Sequence, residues 1–165
     1  MYGSTRRRKI FSRIRMKSPF QYNLYNFFKL PSVWWCGIRV KSVNKESCLV
    51  SVKHRWINQN PFKSMFWAVQ GMAAELSTGL LLMNEIARTK KSFSMLVLNN
   101  KANFSKKATG RISFSCDQGR QIKECLNKAI SSETPQTIWL NSCGLDSKGD
   151  TVSKFSFEWT LKLRR

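Results

Sequence analysis

One acid stands where the composition around it disfavours an acid. From Met65 to Met83 the chain reads MFWAVQGMAAELSTGLLLM, apolar or small almost throughout, with Glu75 as its single charge. Burial among apolar groups raises a carboxyl pKa towards the range useful to a general base or nucleophile. Gly71 and Gly79 lie four residues to either side of Glu75, and Ala68 and Thr78 flank them. On a helix that spacing puts the glycines and the acid on one face. A carboxylate ringed by residues with almost no side chain suits either close packing with one hydrogen-bond partner or the wall of a ligand pocket. Asn60 stands 15 residues before Glu75. Its amide could orient a water or a carbonyl, or it could cap the helix ahead of Pro61.

Where the helix begins decides which amides are free. With Ser64 as the cap, the N–H groups of Met65, Phe66 and Trp67 would carry the positive end of the helix dipole. With Asn60 as the cap, those amides would be consumed within the helix. Gln70 reads as a packing or solvent-exposed residue, with a role facing a partner subunit as the alternative. His54, the only histidine, reads as a hydrogen-bonded core residue rather than a catalytic one. The sequence holds no Gly-rich phosphate loop.

The stretch that carries these residues, 57–88, is dominated by the run from Met65 to Met83, which must be a helix, because strands rarely exceed about 10 residues. It is apolar nearly all round, so it belongs in a core or a membrane. A charge at the centre of a spanning helix costs about 3 kcal/mol on insertion scales. Glu75, with Gln70, Ser77 and Thr78 beside it, therefore argues for a core helix and against a membrane span.

A chain of 165 residues makes one domain and buries about 70% of its unfolded surface. Its net charge is +20, and seven of the cations, between Arg6 and Lys17, precede residue 18, with no acid before Glu46. Residues 1–17 read as a basic disordered arm and 18–165 as a single domain; the Arg-rich, acid-free start also loosely resembles an organellar presequence. Such a charge favours anionic partners: nucleic acid, acidic headgroups or phosphorylated small molecules. The five cysteines include no CxxC pair and no metal-ligand spacing, so no metal is expected and reduced thiols in a cytoplasmic protein are the simplest reading.

The remaining elements follow from periodicity. Ser18-Pro19 opens a short helix up to Pro31, with Phe20, Leu24, Phe27 and Phe28 as its apolar face. Residues 34–43 and 47–56 alternate as a hairpin leading into the long helix, with Trp34, Cys36, Ile38 and Val40 pointing one way. Strands are predicted over 93–105, 111–117, 136–143 and 151–163, and a second short helix over 118–131. Strands with one polar face imply an antiparallel sheet. Only the long helix can cover the sheet's inner face, so the fold class is α+β, with about six strands wrapped around one helix.

That order resembles the hotdog fold, specifically the 4-hydroxybenzoyl-CoA and phenylacetate-pathway thioesterase-like proteins, and more closely a less characterised thioesterase-like family. The Asn60–Glu75 spacing, the turn FSKKATG at 104–110 and the closing strand FSFEWTLK carry the resemblance. The chain departs from the pattern at Phe66-Trp67-Ala68, where the family has His-Gly-Gly. The resemblance implies hydrolysis of an acyl-CoA thioester with no further cofactor, in a homodimer or dimer of dimers. Glu75 and Asn60 would be catalytic, and the amides of Trp67 or Ala68 would hold the carbonyl oxygen. Gly71 and Gly79 would border the substrate. A hotdog domain that binds acyl thioesters or dimerises without turnover is the second reading. A basic nucleic-acid-binding protein is the third.

Overall fold

The computed structural model describes residues 18–164; the basic arm expected over 1–17 lies outside them. Helix α3, Trp67–Thr89, is the element around which the rest is laid. Six strands, β1 (Arg39–Val43), β2 (Cys48–Lys53), β3 (Phe93–Phe104), β4 (Arg111–Cys116), β5 (Gln136–Leu145) and β6 (Thr151–Leu163), form one sheet in the order β1-β2-β4-β5-β6-β3. Every pairing is antiparallel. The sheet wraps α3, which packs on β2, β4, β5 and β6. This is the hotdog architecture.

The core is the seam between that helix and that sheet. Val69, Ala73, Leu80, Leu81 and Leu82 of α3 are buried against Val50, Val52, Ile112, Phe114, Leu140, Phe155 and Leu161. Gly71 and Gly79 face rings of β6: an added Cβ would stand 3.6 Å from Phe155 and 3.4 Å from Trp159. The small residues thus let the helix lie close on the aromatic strand. Trp159 Nε1 donates to Thr78 Oγ1 at 3.2 Å, and Ser77 and Ser142 join their hydroxyls at 2.8 Å, so the buried polar groups of the seam are paired. No helix among the described residues is long and apolar enough to cross a membrane.

The N-terminal elements depart from expectation. α1, Pro19–Lys29, is capped by Ser18 as the sequence implies, its hydroxyl accepting from the Gln21 N–H. Pro31 does more than end it: Pro31–Trp35 forms a further short helix, α2. Trp34 is therefore helical, Cys36 follows the helix, and β1 starts only at Arg39. A proline's fixed φ suits the first turn of a helix as well as a break after one, which is the ambiguity that hid α2. Likewise β2 ends at Lys53, and Trp56–Asn58 is a 3₁₀ turn instead of strand. The apolar stripe of α1 also points the other way. Phe20, Leu24, Phe27 and Phe28 face solvent, while Tyr22 and Asn26 are buried. The reason is the sheet edge: Asn23 donates to the Val40 carbonyl at 3.0 Å and accepts from the Val40 N–H at 2.9 Å. Its amide thereby pairs main-chain groups that β1 would otherwise leave open.

Helix α4, Gly119–Ser132, closes the fold beside β5 through buried Ile122, Cys125, Leu126 and Ala129. Gly119 is packed against the β1–β2 turn so tightly that an added Cβ would stand 2.0 Å from the Lys45 carbonyl oxygen. Both sides of that contact are backbone, so neither can rotate away. Gly119→Ala is expected to destabilise the protein by about 1–3 kcal/mol, the cost of overpacking. Chemical denaturation checks it: the midpoint falls for Gly119→Ala and stays put for Ser131→Ala on the exposed side of the same helix.

Candidate active site at the start of the central helix

Two asparagines build the approach to α3. Asn58 is buried and fully used: its Nδ2 donates to the carbonyls of Cys36 and Lys53, both at 2.9 Å, and its Oδ1 accepts from the Arg55 N–H at 2.8 Å. Its own carbonyl accepts from the Phe66 N–H at 2.9 Å. One residue therefore joins the end of α2, the end of β2 and the start of α3. Asn60 organises the next loop. Its Oδ1 accepts from the N–H groups of Phe62 and Ser64, and its Nδ2 donates to Ser64 Oγ at 3.1 Å. A side chain that accepts from the amide two residues on is an Asx turn, which stabilises an irregular loop by imitating backbone.

Neither Asn60 nor Ser64 caps α3. The N-cap position is Phe66, which offers no side-chain acceptor. Met65 N–H is taken by the Ala108 carbonyl at 2.8 Å and Phe66 N–H by Asn58. Of the amides weighed from the sequence, Met65 and Phe66 are thus consumed. Trp67 and Ala68 N–H have no main-chain acceptor among the described residues. They stand at the positive end of a 23-residue helix, where partial negative charge is favoured.

Trp67 borders a cavity of about 430 Å³ that is also lined by Asn60, Ser64, Met65, Gln70 and Phe104, and by the turn 105–108. Gln70 is buried rather than exposed: it accepts from Ser153 Oγ at 2.9 Å and donates to the Met65 carbonyl at 3.4 Å. The turn is fastened from outside. Lys106 Nζ lies 2.6 Å from Asp146 and 2.7 Å from Asp150, and Ser105 Oγ donates to the Thr151 carbonyl at 2.8 Å. Lys106 is neutralised by those two carboxylates, and Lys107 adds one cation to the rim, which suits a phosphorylated ligand.

Glu75 lies elsewhere on the same helix. It is exposed on the open flank of α3, and the apolar groups around it hold its carboxyl above the ordinary glutamate value. Eight residues separate Trp67 from Glu75, which is about 12 Å of rise at 1.5 Å per residue. One chain therefore presents its free amides and its carboxylate at separate places. Gly71 and Gly79, expected to clear space beside Glu75, have their open sides against Phe155 and Trp159. His54 is not on the cavity wall; its main-chain N–H donates to the Gly110 carbonyl, and its buried Nε2 has no partner. The buried thiols are poor nucleophiles: desolvation pushes Cys48 up to about 12 and Cys116 up to about 11. No group of residues that could hold a metal ion occurs among the described residues.

The sequence named Asn60, Trp67 and Ala68 as candidates and offered packing as one reading of Gln70, but passed over Asn58. A buried Asn with backbone partners has no periodic signature. The run Asn58-Gln59-Asn60 signalled a loop without saying which amide turned inward.

The fold is shared with solved structures at low identity. A Pseudomonas aeruginosa protein of unknown function, described as a probable thioesterase, superposes with a TM-score of 0.76 at 17% identity, over 92% of this chain and 100% of that one. A thioesterase from Haemophilus influenzae gives 0.68 at 11% identity, over 90% and 92%. A thioesterase from Staphylococcus aureus gives 0.62 at 14%, over 80% and 98%. The last is known with a glutamine changed to alanine and, separately, with a glutamate 15 positions later changed to alanine. Among functionally curated proteins none matches the sequence. A family model described as a domain of unknown function, DUF4442, matches residues 22–161.

The two asparagines separate in their effect on stability. Asn58→Ala removes the partner of two part-buried carbonyls and one N–H and empties the buried site of the amide itself. At about 1–3 kcal/mol for an orphaned buried group, urea denaturation is expected to show a loss of several kcal/mol. Asn60→Ala, in a half-exposed loop, is expected to cost about 1 kcal/mol or less in the same measurement.

Proposed function

Because the chain belongs to the DUF4442 family, whose fold it shares with thioesterases, we propose that it hydrolyses an acyl-CoA thioester at sites formed between two subunits. The observation that carries the reading is the pairing of free helix amides with a desolvated carboxylate on one helix, too far apart to meet within one chain. A twofold dimer brings the Glu75 of one subunit to the Trp67 and Ala68 amides of the other. The edge for such a dimer is available: among the described residues β3 is an outermost strand that pairs with β6 alone, and Leu96 and Leu98 are exposed on it. The 15-residue interval of the two positions altered in the staphylococcal thioesterase equals that between Asn60 and Glu75.

In this reading the thioester carbonyl oxygen accepts from the Trp67 or Ala68 N–H, at the end of the helix dipole that favours developing negative charge. Glu75 takes a proton from water as the water oxygen bonds to the carbonyl carbon. The carbon–sulfur bond then breaks, and the proton passes to the departing thiolate. Asn60 orients the reacting groups, and Lys107 meets the phosphates of coenzyme A. The acyl chain lies along the apolar wall formed by Met65 and Phe104. The reaction requires no metal ligand set and no bound cofactor. The five cysteines, all unpaired thiols, suit a cytoplasmic setting.

A second reading, a module that binds thioesters or dimerises without turnover, has one observation in its favour. Trp67 stands where a glycine would leave room, and it is 58% exposed beside the cavity. Its indole would narrow the approach to its own amide.

Glu75→Gln distinguishes them. Loss of a general base typically slows a reaction 10²- to 10⁴-fold. Hydrolysis of a panel of acyl-CoAs is expected to fall by that factor with an unchanged melting temperature, and full activity in the variant would refute the mechanism. The pH profile supplies a further test. Glu75 must be ionised to act as a base, and burial raises its pKa from 4.5. The acid limb of kcat/KM is therefore expected to have its midpoint above pH 4.5, and activity is lost as pH falls through it. Sedimentation equilibrium at micromolar concentration is expected to give a dimer; a monomer that hydrolyses thioesters would exclude a shared site.

A further inference from the structure

α1 is an amphipathic helix docked by its polar side. Phe20, Leu24, Phe27 and Phe28, spaced i, i+4, i+7 and i+8, form one stripe, and that stripe faces solvent. Phe20 is 73% exposed and Phe28 68%, and Trp35 at the end of α2 adds an indole that is 67% exposed. The side turned to the protein is held by the Asn23 amide on Val40 and by buried Tyr22 and Asn26. A contiguous apolar patch of this kind on a folded protein marks an interaction surface.

The subunit interface proposed above does not account for it. α1 packs on β1 and α2, and β1 is the sheet edge opposite β3. A dimer joined through β3 leaves the stripe bare. The cavity at the start of α3 includes none of these residues.

Charge decides the occupant. The stripe contains no acid, and Lys29 closes the helix. Immediately before Ser18, the sequence places seven arginines and lysines within residues 6–17, interleaved with Ile10, Phe11, Ile14 and Met16, and the first acid of the whole chain is Glu46. Aromatic and leucine side chains on one face, led in by a dense run of cations, are the two components of interfacial binding: apolar insertion at the headgroup level and attraction to anionic lipid. We propose that α1 lies on the surface of an anionic phospholipid bilayer, with Phe20, Leu24 and Phe28 inserted at the acyl boundary. The protein is then a peripheral membrane protein. This inference is independent of the catalytic reading.

The experiment is co-sedimentation of the full chain with vesicles of phosphatidylcholine containing one third phosphatidylglycerol, against vesicles of phosphatidylcholine alone. Binding to the anionic vesicles is expected to be at least tenfold stronger. The double substitution Phe20→Ser/Phe28→Ser is expected to weaken it at least tenfold further while leaving the melting temperature unchanged, since both rings face solvent. Equal binding by the variant would overturn the proposal, because the cations alone would then hold the protein. A drop of more than a few degrees in melting temperature would also overturn it, showing the stripe packed within the protein. So would a change in subunit number caused by the variant, which would assign the stripe to a second copy. Binding to single-stranded RNA but not to vesicles would assign the cations to nucleic acid and end the membrane reading.

Discussion

Everything in this molecule depends on hiding a helix that has no polar side. α3 buries residues on most of its circumference, and a helix that is apolar all round needs a surface that goes around it. A flat sheet could cover one stripe. A strongly twisted antiparallel sheet of six strands covers several, because the natural right-handed twist of strands curls the sheet about an axis. The glycines at 71 and 79 add the last approach, letting β6 rings rest against the helix backbone. Once that seam is packed, the direction of α3 is fixed, and with it the position of every group the helix carries.

The chemistry proposed for the site is a by-product of how the helix starts. The chain arrives at Trp67 through a loop whose amides are all committed: to Ala108, to Asn58 and to the Asn60 side chain. Because Phe66 cannot cap, the first turn keeps two donors unspent. A serine or aspartate at that position would satisfy one of them and stabilise the helix by about 1 kcal/mol. The missing cap is thus a local cost to stability that leaves an anion-favouring point beside a cavity. Stability for that point comes from Asn58 instead, which fastens the loop from behind without touching the exposed amides.

The sequence made the central helix, the six strands and the hotdog topology legible, because burial imposes a period on long elements: Phe155, Phe157, Trp159 and Leu161 could only be one face of a strand. Asn60, Glu75 and the helix amides were named as candidates through the resemblance and through an acid placed in an apolar run. Two things were not legible. Pro31 reads equally as the end of α1 and the start of α2, since its ring fits both. The direction of α1 cannot follow from its own amphipathicity when a single amide, Asn23 on Val40, outweighs four apolar side chains in choosing the docked face.

The order of the strands also bears on how the chain reaches its fold during synthesis. β3 leaves the ribosome long before its partner, β6, because β4, α4 and β5 lie between them in sequence. Translation proceeds at about 5–20 residues per second, so a 12-residue strand with exposed Leu96 and Leu98 waits unpaired for seconds. In that interval β1, β2 and β4 can already close on the first part of α3, while the helix flank that β5 and β6 will cover stays bare. An unpaired strand beside an uncovered apolar helix is the kind of nascent surface to which chaperones bind and at which polysome neighbours associate. β6 ends that exposure in a single step, joining β3 and β5 at once, so removal of the closing strand would strand β3 along with it.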